Sequence, residues 1–242
     1  MNYYDHTLTL RVAECDVCNH WRLSSIMTEM QEAAGSHSKS LSVGRNDLLK
    51  ANIVWVLSRM RLQILRYPGP GETVTVRTWN RPARHRLYPR FFRITDAAGE
   101  VFAQASSIWL LMDLETRQSV NADRLVSAMP DNSDLPEPLP LPGSIRSLSA
   151  PEKVIPWQAL YTDLDPNGHV NNTKYADWLC NALGTETMRS SAPEDLIIQY
   201  HAEILPDSPF TLHLKRDENR FQLTGVHDGD AAFEACGTLK AF

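Results

Sequence analysis

The chain has 242 residues, of which 43% are hydrophobic and 22% charged, and its formal net charge is −5 at pH 7. This length allows one large domain or two small ones with a buried core, and the acidic balance argues against nucleic acid or an anionic membrane as a partner. The sequence has no apolar run of membrane-spanning length, and its first residues lack the pattern of a secretory signal, so we expect a cytoplasmic protein.

The first half of the sequence predicts a strand, a long helix and further strands. Residues 6–13 alternate polar and apolar side chains, as in a half-buried strand. One face of a predicted helix then carries Leu23, Ile26, Met27, Met30 and Ala34. Alternation returns over residues 53–65 and predicts one strand face formed by Val54, Val56, Met60, Leu62 and Ile64. Turns at 67–72 and 96–100 separate three more predicted strands, over 73–80, 86–95 and 101–113.

A proline-rich segment then interrupts the pattern. It contains Pro130, Pro136, Pro138, Pro140 and Pro142, which disfavour both helix and strand, so we predict a linker over 129–151. The earlier order recurs after it. We predict a strand over 154–162, a helix that ends at Gly184, and strands near 195–205, 210–216, 220–226 and 231–241.

The two halves resemble each other. Residues 16–20, "DVCNH", match 165–169, "DPNGH", and residues 61–76 resemble 201–214. A long helix beside an antiparallel run of strands, occurring twice, predicts an α+β protein of two similar domains at 1–128 and 152–242. Chance similarity between such short segments is the alternative.

Four cysteines stand at positions 15, 18, 180 and 236. They are too few and too scattered for a disulfide framework in a chain of this length. Cys15 and Cys18 have C-x-x-C spacing, but no second close pair accompanies them. We therefore expect reduced thiols and no metal site.

Polar side chains concentrate in "DLDPNGHVNNTKY", residues 163–175, just before the second predicted helix. Asx turns and a helix cap near Asn171 would explain Asp163, Asp165 and Asn167 on structural grounds alone. They do not explain His169 between two amide-rich clusters. A helix start presents free N–H groups that can hold an oxyanion, so the alternative is a catalytic loop.

The sequence resembles the acyl-acyl carrier protein (acyl-ACP) thioesterases, a family built from two fused hot-dog domains. In the first half, "LSSIMTEMQEAAGSHS", "WVLSRMRLQILRYPGPGETVTVRTW" and "SSIWLLMDLETRQSV" are similar to the family's helix and strand segments. In the second half, "DLDPNGHVNNTKYADWL" is similar to its active-site segment, and this is the most specific signal. The resemblance implicates Asp165, Asn167 and His169 in catalysis, together with Glu203 on a later strand.

One position departs from the plant members, which have a Cys after the glutamate where this chain has Ile204. We therefore expect a carboxylate mechanism. Glu203 would act as general base toward water or hold the water in line, Asn167 and His169 would orient water and thioester, and helix-start N–H groups would receive the oxyanion. Asp165 would either orient His169 or attack as a nucleophile. A thioester is already activated, so we expect no metal and no organic cofactor.

The first half carries an altered version of the motif. Cys18 stands at the position of Asn167, Trp21 and Arg22 replace Val170 and Asn171, and we place Gln63 at the position of Glu203. We therefore expect only the second domain to be catalytic and the first to form the acyl-chain pocket. Candidates for the pocket lining are Met27, Met30 and Trp55, for which plain core packing is the alternative.

The segment "RPARHRLYPRFFR" is rich in arginine, although the chain as a whole is acidic. The resemblance implies docking of an acidic carrier protein whose acyl chain hangs on a phosphopantetheine arm, and arginines suit such a partner. The candidate docking residues are Arg81, Arg84, Arg86 and Arg90. The alternative is a solvated surface without a partner.

The sequence therefore predicts hydrolysis of acyl-ACP thioesters to free fatty acid and carrier protein. Alternatives are an acyl-coenzyme A thioesterase, an enzyme that hydrates or dehydrates an acyl thioester, and a non-catalytic acyl-binding module. The Asn-rich loop differs from the His–carboxylate sites that move protons at carbon, and the retained polar set argues against a binding module. Chain length, carrier and homodimer formation stay open.

Overall fold

The computed structural model describes residues 1–121, 126–127, 129–147 and 150–242. These residues form two compact units, Met1–Pro142 and Gly143–Phe242. Among the described residues, no helix is long and apolar enough to cross a membrane. The prediction of an α+β fold is confirmed, because each unit combines antiparallel strands with helices.

Among its described residues, the first unit has five strands and two α-helices. In chain order these are β1 (Tyr4–Thr9), α1 (Leu23–Ser40), α2 (Arg45–Leu49), β2 (Ile53–Ile64), β3 (Thr73–Asn80), β4 (Tyr88–Asp96) and β5 (Val101–Asp113). Every pairing in the strand order β1-β3-β4-β5-β2 is antiparallel. The predicted apolar face of α1 is buried and lies against β1 and β3. β1 ends earlier than predicted, because Val12–Glu14 form a 3₁₀ turn.

A β-bulge in β2 corrects one predicted strand face. The register between β2 and β5 shifts between Leu57 and Arg59, so the side chains before the shift change sides relative to those after it. Leu57 and Met60 are therefore both buried although they are three positions apart, an offset that would put them on opposite faces of a regular strand. Val54 does not share the face of Met60, as the uninterrupted alternation had predicted.

The first part of the predicted linker is bonded to the first unit. The buried Asn132 side chain donates to the carbonyls of Asn2 and Asn80, at 2.7 and 2.9 Å. The Asn80 side-chain amide in turn donates to the Pro130 carbonyl, and the Ser106 hydroxyl donates to the Pro140 carbonyl. The boundary between the two units lies between Pro142 and Gly143, inside the predicted linker, of which residues 148–149 lie outside the described residues.

The second unit repeats the plan with a shorter first helix. Its elements are β6 (Lys153–Gln158), α3 (Lys174–Leu183), α4 (Thr185–Ser190), β7 (Ser191–Tyr200), β8 (Pro209–Asp217), β9 (Arg220–His227) and β10 (Asp230–Ala241). The strand order β7-β10-β9-β8-β6 is antiparallel throughout. α3 packs through aromatic rings, with Tyr175 4.6 Å from Phe233 and Trp178 5.1 Å from Phe210 between ring centroids. This packing fixes the helix directly behind the polar loop that precedes it.

Candidate active site

The polar loop before α3 is held by its own backbone. The Asp165 N–H donates to the His169 carbonyl at 2.8 Å, and the Gly168 N–H donates to the Asp165 carbonyl at 2.9 Å. This tight turn needs a left-handed residue at its fourth position, and Gly168 supplies it with φ of 82°. The Val170 N–H donates to the Ile204 carbonyl, which ties the loop to the segment after β7. The loop is therefore a rigid platform for its side chains.

Asp165 and Asn167 form a closed pair. One Asp165 oxygen, Oδ1, accepts the Asn167 backbone N–H at 2.7 Å, and the other, Oδ2, accepts the Asn167 side-chain Nδ2 at 3.2 Å. Both carboxylate oxygens thus bond to the same neighbour. The prediction that Asp165 orients His169 has no support in these contacts, because the group that Asp165 orients is Asn167.

His169 and Glu203 are the other two predicted residues, and they meet across the loop. His169 Nε2 lies 3.4 Å from Glu203 Oε2, and roughly a third of each side chain is exposed. Glu203 is not on a strand as predicted, because β7 ends at Tyr200. The N–H groups of both His201 and Ala202 donate to the Ala232 carbonyl, which ends the regular ladder and turns the chain toward the loop.

Two tyrosines behind the loop, Tyr175 and Tyr200, belong to the site, and neither of them was predicted as a site residue. Burial raises the pKa of Tyr175, and the negative charges of Glu203 and Asp165 raise it further. Tyr175 thus stays protonated beside both carboxylates. Tyr200, 5.2 Å from it between ring centroids, donates its hydroxyl to the Asn172 carbonyl at 3.0 Å. Tyr175 stands three residues after Asn172 in the quoted motif, a position from which a helical side chain can face the loop.

Two N–H groups at the helix start, where an oxyanion site is predicted, already have hydrogen-bond acceptors. Asn171 Oδ1 accepts both the N–H and the hydroxyl of Thr173, at 3.0 Å each, and the Asn171 carbonyl accepts the Lys174 N–H. These helix-start donors are already used. Asn171 thus closes an Asx turn just before α3, whose N-cap position is occupied by Thr173.

The corresponding loop of the first unit has the same hydrogen-bond pattern. The Asp16 N–H donates to the His20 carbonyl. The N–H groups of Trp21 and Arg22 make the backbone hydrogen bonds that those of Val170 and Asn171 make in the second unit. This bears out the internal repeat. The Trp21 N–H donates to the Pro68 carbonyl, as the Val170 N–H does to the Ile204 carbonyl. The residue that corresponds to Glu203 is therefore Tyr67, and the prediction of Gln63 was wrong. The Tyr67 ring thus stands where the second unit has the Glu203 carboxylate, and its centroid lies 5.8 Å from that of the His20 ring.

The three candidate pocket residues lie in the interior of the first unit. Met27 and Met30 are buried on the sheet-facing side of α1. Trp55 donates its indole N–H to the Val43 carbonyl and packs edge-on against Tyr88. These contacts satisfy the core-packing alternative, and an acyl pocket there remains a prediction.

The four candidate docking arginines do not form one surface. Arg90 is buried, with a 6% exposed fraction, and it donates to His37, Ser38 and Thr78, so it cannot contact a carrier protein. Arg81 is mostly buried and donates to the Leu135 carbonyl. Arg84 and Arg86 are exposed, and Arg84 pairs with Glu137 at 3.1 Å. The candidate surface is reduced to these two residues.

Comparison with known sequences identifies related proteins along most of the chain. Residues 1–127 match the family described as acyl-ACP thioesterase N-terminal domain, and residues 149–232 match its C-terminal domain. The chloroplastic acyl-ACP hydrolase FATB3 of Cuphea viscosissima is 27% identical over 225 residues, which are 85% of this chain and 53% of the relative. The chain spans about half the length of the curated relatives it matches.

Solved structures share the fold. An acyl-ACP thioesterase from Bacteroides thetaiotaomicron superposes with a TM-score of 0.88 at 21% identity and covers 98% of both chains. The 12:0-ACP thioesterase from Umbellularia californica gives a TM-score of 0.85 at 22% identity, over 99% of this chain and 98% of its own. Together with the sequence match over both halves, this shows that the chain belongs to the acyl-ACP thioesterase family.

Proposed function

We propose that this protein hydrolyses acyl-ACP thioesters, releasing a free fatty acid and the carrier protein. The main support is that His169 Nε2 lies 3.4 Å from Glu203 Oε2, beside the rigid Asp165–Asn167 turn. Membership of the thioesterase family supports the same reaction. The first unit, whose loop lacks the glutamate and the asparagine, would bind the acyl chain.

Glu203 is the proposed general base. Its carboxylate is partly exposed, so a water molecule can reach it, and His169 on the opposite side limits where that water sits. Glu203 would take a proton from the water as its oxygen attacks the thioester carbon. Distances near 3.4 Å suit this role, because catalytic contacts commonly tighten only when substrate is bound.

Asn167 is the proposed donor to the thioester oxygen. Its Nδ2 donates to Asp165 Oδ2, which fixes the plane of the amide. This amide would donate to the thioester carbonyl oxygen, where negative charge develops as water attacks. Asp165 would act by fixing this amide, and collapse of the tetrahedral intermediate would expel the phosphopantetheine thiolate.

The arrangement favours hydrolysis over reactions at carbon. Hydration or dehydration needs an acid and a base placed on the acyl chain, whereas this site places an amide donor held by Asp165, a histidine and the Glu203 carboxylate around a single loop. A non-catalytic acyl-binding module has no need of a His–carboxylate pair in solvent. An acyl-coenzyme A ester has the same thioester, so the carrier is the point that an experiment has to decide.

The test is thiol release from purified protein mixed with acyl-ACP and, in parallel, with acyl-coenzyme A. We expect turnover of acyl-ACP at a higher kcat/KM, and a loss of ~10²-fold or more in kcat in Glu203→Gln. Asp228→Asn is the matched control, because Asp228 also lies 3.4 Å from a histidine, His227, in the same unit. Absence of thiol release from acyl-ACP, or equal activity of Glu203→Gln and wild type, would refute the proposal.

A further inference from the structure

The loop of the first unit that corresponds to the catalytic loop brings three metal-ligating side chains together. Ligand atoms of Asp16, Cys18 and His20 all lie within 4.8 Å of one another. Sequence spacing had drawn attention to Cys15 with Cys18, but Cys15 is buried and its thiol lies 3.6 Å from the Arg11 carbonyl. The cluster therefore pairs Cys18 with an aspartate two residues before it and a histidine two residues after it, along a single turn.

The turn prepares these groups for a metal. Asp16 Oδ1 accepts the N–H groups of Cys18 and His20, at 2.8 and 3.0 Å, which fixes the carboxylate and leaves Oδ2 as the second oxygen. The His20 ring lies against Tyr67, 5.8 Å between ring centroids, which restricts its rotation. Ligating carboxylates and imidazoles are commonly held by such outer contacts.

Thiolate, imidazole and carboxylate together are a ligand set for zinc, and three protein ligands leave a fourth tetrahedral position for water. The edges of a tetrahedral zinc site are about 3.5 Å long, so the side chains need to close by about 1 Å. Each of them is partly exposed, and Val17 between them is exposed, so an ion can enter. The thiolate and the carboxylate together balance the two positive charges.

We propose that Asp16, Cys18 and His20 bind a zinc ion in the first unit. The loop with the same shape in the second unit carries Asn167 in place of Cys18 and thereby lacks the thiolate. The duplicated turn thus serves two chemistries, one for the thioester and one for a metal. Binding releases the Cys18 thiol proton as the sulfur–metal bond forms.

Cobalt(II) provides a direct test, because it adopts zinc geometry and a thiolate–cobalt bond absorbs in the near ultraviolet. Chelator-treated full-length protein is titrated with cobalt(II) and then with zinc. We expect one equivalent of cobalt to produce the thiolate band and tetrahedral visible bands, and zinc to abolish both. In the variants, Cys18→Asn should lose the thiolate band, and His20→Ala should weaken cobalt binding by ~10-fold or more.

Two controls keep the result specific. Cys18→Asn installs the residue that the second loop already carries in the same turn, so the fold should persist, and circular dichroism checks this. Cys180→Ser, which removes a thiol on α3, should keep the full cobalt spectrum. Absence of a thiolate band in the wild-type protein, or a band that survives in Cys18→Asn, would overturn the proposal.

Discussion

At the scale of single residues, Asp165 is the group whose contacts say most about mechanism. Both of its carboxylate oxygens accept hydrogen bonds from Asn167, one from the backbone and one from the side chain. An oxygen in that arrangement is poorly placed to attack a carbonyl, because attack would break the bond that orients the amide. We therefore expect Asp165 to position Asn167 and not to become acylated.

A trapping experiment tests this role of Asp165. In Glu203→Gln the water step is slowed, so an acyl–Asp165 anhydride, if one formed, would accumulate on the protein. We expect intact-mass spectrometry of that variant after mixing with acyl-ACP to show no added acyl group. Asp165→Asn should lower kcat by ~10²-fold, the scale of a misplaced reacting group. An acyl adduct on Asp165 would contradict the positioning role.

The sequence motif predicted which residues gather at the site but not all of their partners. Asp165, Asn167 and His169 stand within one short turn, so their proximity follows from local structure. Glu203 lies beyond the end of a strand, and the interruption that turns it toward His169 depends on two N–H groups sharing one carbonyl. Such a departure from regular pairing leaves no mark in the alternation of side chains, which also explains the wrong choice of Gln63.

At the scale of elements, the contact between α1 and β4 encloses a buried charge. Arg90 on β4 donates to His37 Nδ1 at 3.1 Å and to the hydroxyls of Ser38 and Thr78 at 3.2 Å. His37 and Ser38 belong to the last turns of α1, whose negative dipole end favours a cation. Burial lowers the pKa of Arg90 to about 10, which keeps the guanidinium charged at neutral pH.

His37 should make the first unit sensitive to acid. Burial, followed by the charge of Arg90, lowers the His37 pKa from 6.5 to about 4. The folded state therefore keeps His37 neutral where the unfolded chain already binds a proton, and stability falls as the pH drops from about 6.5 to about 4. The loss is at most about 3 kcal/mol.

Urea unfolding across this pH range measures the effect. In His37→Gln, where an amide oxygen can still accept from Arg90, the part of the acid-induced loss that belongs to His37 should disappear. His6→Gln serves as the control, because His6 pairs with Glu29 at the surface. An unchanged pH dependence in His37→Gln would show that His37 protonates freely in the folded state.

Arg90 also shows why the arginine run was misread. Its neighbours in sequence suggest a solvated basic strand. With alternating side chains, Arg90 would lie on the same strand face as Arg84 and Arg86. Two of the three acceptors that make its burial tolerable, His37 and Ser38, come from α1, more than fifty residues away in sequence. By contrast, α1 was predicted well, since its buried face follows the helical period, and the bounds of β5 agree with the predicted strand over 101–113.

At the scale of the whole molecule, recognition of the carrier protein should depend on charge. Only Arg84 and Arg86 of the predicted docking residues are exposed. Carrier proteins are acidic, so these two arginines would raise the encounter rate through attraction that salt screens over ~8 Å at physiological ionic strength. Added salt should therefore lower kcat/KM for acyl-ACP more than for acyl-coenzyme A.

A pair of double variants separates docking from net charge. Arg84→Glu with Arg86→Glu should lower kcat/KM for acyl-ACP well beyond its effect on acyl-coenzyme A. Lys215→Glu with Arg216→Glu changes the net charge by the same amount at exposed positions of β8 and should show a smaller loss for acyl-ACP. Equal losses in the two double variants, or equal effects on the two substrates, would remove Arg84 and Arg86 from carrier recognition.

The internal repeat was visible in sequence because the turn residues recur at a constant offset, and the backbone bonds of both loops bear it out. Their different chemistry was only partly visible. The replacement of Asn167 by Cys18 could be read directly, whereas the approach of Asp16 and His20 to Cys18 depends on side-chain directions within the turn.

The central claim is that His169 and Glu203 act together in hydrolysis, and a double-mutant cycle on acyl-ACP turnover tests it most directly. Each of His169→Ala and Glu203→Gln should lower kcat by ~10²-fold or more, and the double variant should be little worse than either, because residues that act as a unit are not additive. His227→Ala should retain activity. Losses that multiply in the double variant, or a single variant with normal turnover, would contradict the account.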